Sequence, residues 1–412
     1  MARLVVIFIV SMLLSFLGLS WYLWHVNLPL VSPLDVISTF APNLPFINKP
    51  EAQKVVYGFL PYWNMKYSDQ IPIRYLTHLA YFGVDLKPDG TIREYDNPGE
   101  KEPGANKLNS NEFSILHRQL KLTGKKSILT VRAFDPDQIE SIINSAKATQ
   151  TAISSIMELV RGKQFDGINV DFEYLGSATN STKDNFIRFV SQLAATCRVE
   201  VAGCEISVDV FADSSVKDRL WQLDKLAPIV DQVIVMTYDY YRPSSNQAGP
   251  VAPLRGACTT VAGESSDFQA NCLDYDVTQS IVDSLKKVPA EKLLLGVPFY
   301  GYEWRTAGDA FLANTYPQSG ATASYKRIQE LLSAPDAVSS LSAKWNAETM
   351  SPYIVYQDDG ATYQIHYEDS RSLSLKLDLV NQSALGGVAI WALGYETPYQ
   401  ELWQTIAAKV YR

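Results

Sequence analysis

The sequence predicts an α/β chain: a (β/α)8 barrel with a small α+β insertion between its seventh and eighth strands, preceded by an N-terminal transmembrane helix. Three observations predict it. Short runs rich in Val, Ile and Leu recur eight times and alternate with amphipathic stretches, the pattern of a parallel sheet buried on both faces. The 359 residues after position 53 exceed the roughly 250 of a usual barrel, and most of the excess falls between the seventh and eighth runs. Residues 4–24 form an uncharged stretch of 21 positions.

That first stretch, as a helix at about 1.5 Å per residue, reaches roughly 31 Å, the hydrocarbon thickness of a bilayer. Trp21, Tyr22 and Trp24 gather at its far end, as interface aromatics do. Arg3 precedes it and no Lys or Arg follows until Lys49, which holds the N-terminus in the cytoplasm and sends the rest outside. A cleaved signal peptide is the competing reading; it calls for a shorter apolar region with a small-x-small site close behind. Both readings export the domain. Residues 1–25 are thus expected to be an anchor or signal peptide. Residues 26–53 are a linker stiffened by Pro29, Pro33, Pro42, Pro45 and Pro50, and residues 54–412 are the barrel.

The strands are expected at 55–60, 76–83, 127–132, 166–172, 204–210, 232–238, 293–300 and 386–391, with helices over 150–162 and 182–197. The insertion covers about 305–367, where 352–367 reads as a hairpin turning at Asp358, Asp359 and Gly360. An open doubly wound sheet is the alternative, but no Gly-rich phosphate loop follows the first strand. Cys197, Cys204, Cys258 and Cys272 allow three disulfide connectivities, and proximity favours Cys197–Cys204 and Cys258–Cys272. The four histidines form no ligand motif and no CxxC spacing occurs, so neither a metal nor another cofactor is expected. The first 53 residues are net neutral, so the charge of −8 belongs to the barrel and excludes a phosphate-backbone binder.

The segment with most chemistry is the fourth strand. Ile168, Val170 and Phe172 share one face by strand parity; Asn169, Asp171 and Glu173 then point into the barrel. Burying two carboxylates and an amide is costly unless they are bonded or kept for chemistry. Glu173 falls at the carboxyl end of the strand, the end where barrel active sites form. Two close carboxyl groups in different surroundings can have their pKa values driven apart, leaving one a proton donor and the other a charge.

Asp166, Asn169, Asp171 and Glu173 resemble the DxxDxDxE signature of the family 18 glycoside hydrolases, chitinase-like TIM barrels, with Asn169 where many members have Asp. The run Met236-Thr-Tyr-Asp239 resembles the family's MxYD, Leu295 to Gly301 its LGxPFYG, and Gly386 to Trp391 the strand end that supplies a sugar-site Trp. Tyr367 to Ser372 and the Asn169 variant are most similar to the bacterial spore-wall and cortex-lytic branch. Two departures stand out: Ser127 to Arg132 lacks the family's SxGG, and Asn169 removes one carboxylate.

The resemblance implies hydrolysis of β-1,4 linkages in an N-acetylglucosamine-containing polysaccharide, chitin or peptidoglycan, by a substrate-assisted retaining route. It implies Glu173 as acid and base, Asp171 as orienter of the 2-acetamido group, and Tyr238 as donor to its carbonyl. Asp239, Trp391, Asn169 and Asp166 are implied substrate-site residues. Tyr62 with Trp63, and Trp304, are placed by their position after the first and seventh strands, and Arg132 is a candidate partner for an inner carboxylate. The protein is expected to act as a monomer with no nucleic-acid partner. A non-catalytic, lectin-like glycan binder on the same barrel is the alternative; such relatives often lose the acid that Glu173 supplies.

Overall fold

The computed structural model describes residues 53–256 and 273–411. The expected membrane segment, the linker up to residue 52 and the pair Cys258–Cys272 lie outside the described residues. Among the described residues no helix is long and apolar enough to cross a membrane.

Eight parallel strands close a barrel: β1 (Val55–Pro61), β2 (His78–Asp85), β3 (Lys126–Ala133), β4 (Gly167–Phe172), β5 (Glu205–Phe211), β6 (Gln232–Met236), β7 (Leu293–Pro298) and, last in the chain, Gly387–Trp391. Each pairs with its sequence neighbour, and Gly387–Trp391 closes the ring by pairing with both β1 and β7. The apolar runs predicted this because both faces of each strand are covered. Tyr57, Phe59, Phe82, Ile128, Ile234 and Leu294 pack in the interior. The alternate residues join the larger layer beneath the helices.

Helices start where short polar side chains cap them. Ser145 accepts from the Ala148 N–H at the head of Ala146–Lys163, and Thr179 from Thr182 at the head of Asn180–Glu200. Phe189 of the latter helix stacks on Phe172 with ring centroids 5.4 Å apart, and the two buried rings fix that helix against β4. The Cys197–Cys204 disulfide ties the end of the same helix to the start of β5, with Cα atoms 5.9 Å apart.

Between β7 and the last barrel strand lies a five-stranded antiparallel sheet. It is built from β8 (Tyr300–Thr306), β9 (Ala321–Ser324), β10 (Ser340–Asn346), β11 (Ser351–Asp358) and β12 (Ala361–His366), in the order β9-β8-β12-β11-β10. The closing barrel strand Gly387–Trp391 is β13. β11 and β12 pair as a hairpin, with Asp358 opposite Ala361. Asp359 and Gly360 turn it with φ of 48° and 75°, the left-handed values that a tight two-residue turn requires. The sheet begins earlier than expected: the seventh apolar run predicts one strand to residue 300, whereas β7 stops at Pro298 and β8 starts a new sheet at Tyr300.

Candidate active site

The carboxyl ends of the barrel strands open into a cleft of about 940 Å³. β4 builds its centre. Ile168, Val170 and Phe172 are buried in the helix-facing layer, so parity turns Asn169 and Asp171 inward. Asn169 is lowest and fully buried; its amide donates to Ser207 Oγ at 3.0 Å and to Asp209 Oδ1 at 2.9 Å. Asp171 stands above it, 3% exposed, and its buried Oδ1 has no hydrogen-bond partner among the described residues. Glu173 is the first inward residue past the strand. Its backbone N–H donates to Ala133 O at 2.9 Å, which holds the side chain at the cleft.

Burial and crowding set the proton affinities. Desolvation first, then the charges of Asp209 and Glu173, push the Asp171 carboxyl well above the usual range, against the pull of Arg132. Glu173 is also raised, by burial and by Asp239, with Arg242 opposing. Buried carboxyl groups this close lose their protons as a set, with the first departure opposing the next.

Tyr238 and Asp239 follow β6 and line the cleft. A Cβ at Gly296 would lie 2.5 Å from Val235 O and 3.0 Å from the Tyr238 ring, so glycine on β7 leaves the space that ring occupies. Asp239 has a φ of 62°, which Asp tolerates better than most residues. Its carboxylate accepts from the hydroxyls of Tyr302, at 2.7 Å, and Tyr300. Trp391 ends β13, half-buried, and packs edge-on against Phe82 with centroids 4.5 Å apart; Phe59 and Trp63 complete the aromatic cluster.

The cleft thus gathers Glu173, Asp171, Tyr238, Asp239 and Trp391, with Asn169 one layer beneath. Three expected residues lie elsewhere. Asp166 sits at the opposite end of β4, where it accepts from Lys121 Nζ at 2.6 Å and from the Ser127 N–H at 2.8 Å. Trp304 is fully buried in the inserted sheet and donates to Pro243 O at 3.2 Å. At the end of β1 it is Trp63, 40% exposed, that lines the cleft, while Tyr62 packs behind it. Arg132 lines the cleft, where its charge acts on Asp171, but its ion pair is with Asp85 of the neighbouring β2 at 2.7 Å, and it lies over the Phe82 ring.

Asp209, Tyr300, Tyr302 and Arg242 also line the site and were not singled out in the sequence. An inward acid was signalled by the alternation of Glu205, Ser207 and Asp209 with Ile206, Val208 and Val210 along β5. The LGxPFYG run and the following Tyr302 carried the two tyrosines.

The sequence matches the description "Glycosyl hydrolases family 18" over residues 55–396. It is 25% identical to a Bacillus subtilis protein named as a sporulation-specific glycosylase, over 77% of this chain and 66% of the relative. It is 26% identical to chitotriosidase-1 of Mus musculus, over 65% of this chain and 58% of the relative. The chain therefore spans between half and two thirds of the length of such relatives. The fold superposes on the Group IV chitinase of Ostrinia furnacalis, solved with allosamidin, with a TM-score of 0.72 at 20% identity, covering 86% of this chain and 98% of that one. A closed parallel barrel with an acid pair at the carboxyl end of its fourth strand, matched over nearly the whole described chain, makes this protein a glycoside hydrolase belonging to family 18.

Proposed function

We propose that the enzyme cleaves β-1,4 linkages next to N-acetylglucosamine in peptidoglycan or chitin, by substrate-assisted, retaining catalysis. The stacking of Asp171 and Glu173 on one inward face, at the floor of an aromatic cleft, supports this best. Both carboxyl groups have raised proton affinity, so Glu173 carries a proton where an exposed glutamate would not, and can protonate the glycosidic oxygen.

As that bond breaks, the substrate's own acetamido oxygen closes on the anomeric carbon. Asp171, at the cleft floor, orients the acetamido N–H and offsets the positive charge that develops. The Tyr238 hydroxyl donates a hydrogen bond to the acetamido carbonyl, and burial together with the neighbouring acids keeps that hydroxyl protonated. Asp239, fixed by Tyr300 and Tyr302, holds the same sugar, and Trp391 supplies an apolar floor. Glu173, now ionised, then takes a proton from the water that opens the ring intermediate.

Similarity to a sporulation-specific glycosylase favours peptidoglycan, and similarity to chitotriosidase favours chitin. The test is incubation of the full-length protein with chitooligosaccharides and with peptidoglycan in parallel, reading products by mass spectrometry. Turnover of at least one, lost in Glu173→Gln, is expected; a Glu173→Gln variant with full activity refutes the assignment. A binding-only protein would bind both and turn over neither, and the intact Glu173 counts against that reading. The same proposal places the enzyme outside the cytoplasmic membrane, tethered by residues 4–24. Membrane fractionation with and without that segment checks it.

A further inference from the structure

Asn169 occupies a barrel-interior position without charge, yet the interior has not lost a carboxylate. Asn169 faces Ser207 across the β4–β5 ladder and Val170 faces Val208, so the same parallel register brings Asp209 level with Asp171. Asp209 is 4% exposed, on the inward face of β5, and lines the cleft floor. One of its oxygens accepts the Asn169 amide at 2.9 Å. The same amide reaches Ser207, whose Oγ lies 3.0 Å from Tyr57 Oη on β1. Asp209 therefore ends a hydrogen-bonded chain that crosses the barrel. Level with it on β4, Asp171 Oδ1 is buried with no donor among the described residues. Two carboxyl groups on adjacent strands, one lacking a donor, with no cation among the described residues bonded to either, are chemically satisfied when a proton lies between them.

We propose that Asp209 is a positioning residue for the hydrolytic reaction, sharing one proton with Asp171 and thereby supplying from β5 the second inner carboxyl group that Asn169 does not supply from β4. The inference rests on the family 18 reading of the site and adds a residue to it. The groups facing Asp209 are Asp171 and Glu173 from β4, Tyr238 beyond β6, and Tyr57 through Ser207; Arg132, on β3, acts on Asp171. Asp209 itself is held well above the usual carboxylate range by burial, against the Asn169 hydrogen bond, so it is suited to carry the shared proton. The proton bridges the inner oxygen of Asp171, fixes its rotamer, and leaves the outer oxygen as the acceptor for the acetamido N–H.

The test is a carboxylate swap in the full-length protein, using Asp209→Asn, Asn169→Asp and the double variant Asn169→Asp/Asp209→Asn. Asp209→Asn is expected to lower kcat about tenfold or more with KM within about twofold, and to move the acid limb of the pH–rate profile to higher pH, because Asp171 must then ionise without the proton-bearing carboxyl group that holds its anion. Asn169→Asp alone crowds a third acid into the interior and moves that limb to higher pH. The double variant returns kcat and the limb to near their original values. Wild-type kcat and profile in Asp209→Asn, or a folded double variant no better than Asp209→Asn, overturns the proposal. An activity-free readout separates it from the hydrolase reading: the melting temperature of the wild type falls more steeply from pH 5 to pH 8 than that of Asp209→Asn. If no substrate is turned over but this difference holds, the shared proton stands and the activity assignment fails. If the two melting profiles are parallel, the shared proton is wrong whatever the activity.

Discussion

Glu396 offers a test of how strongly the floor behind the cleft depends on pH. Its carboxyl is 1% exposed, beyond β13, and accepts from the Gly394 N–H and the Trp403 indole N–H, both at 2.8 Å. No cation among the described residues meets it, so burial wins over these hydrogen bonds and pushes its pKa up to about 7. In the unfolded chain the group ionises near 4.5. Between those values the folded protein holds a proton that the unfolded chain has released. Stability is therefore fully present below pH 4.5 and declines as pH rises through 7. At about 1.36 kcal/mol per pH unit, the displacement from 4.5 to about 7 is worth about 3 kcal/mol. Glu396→Gln keeps the shape, cannot ionise, and resembles the protonated acid in its hydrogen bonding. Urea unfolding at pH 5 should find the variant within about 1 kcal/mol of wild type. At pH 8 the variant should be more stable by about 2–3 kcal/mol. Identical pH dependence in the two proteins would refute the reasoning, because every other titrating group is common to both.

Three further outcomes are expected. Asp166→Ala removes the Lys121 and Ser127 bonds at the closed end of β4, and should cost about 1–2 kcal/mol in urea unfolding while kcat and KM stay at wild-type values. Trp391→Ala removes the floor of the cleft and should lower kcat/KM on chitooligosaccharides about tenfold or more, most of it in KM. Replacing Cys197 and Cys204 with Ser opens a short loop of sequence separation 7 and should lower stability by about 2–3 kcal/mol without changing kcat, which thermal melting and initial rates check together.

The parity of β4 was legible because alternation on a strand with two buried faces leaves an acid no place but the interior. Tyr238, Asp239 and Trp391 were legible for a related reason: each falls at the carboxyl end of an apolar run, and the ends of such runs form the cleft. Asp166 misled because a motif gives spacing but not depth. At about 3.3 Å per residue it lies roughly 23 Å along the strand from Glu173, and so at the other end of the barrel. Trp304 misled because the seventh apolar run conceals the break after Pro298, where the chain leaves the barrel for another sheet. Asp209 was hidden because its importance lies in a lateral neighbour, Asn169, that is distant in sequence and set by register alone.

Asp239 belongs to the barrel, but both of its tyrosine donors belong to β8, the strand that opens the inserted sheet. The inserted sheet is therefore not a removable ornament. A graft that cut the chain after β7 and rejoined it at β13 would keep every barrel strand and both inner acids, yet would leave a cleft carboxylate without the two hydroxyls that aim it. Transplanting this specificity onto another barrel would require moving the sheet and the loop after β6 as one unit.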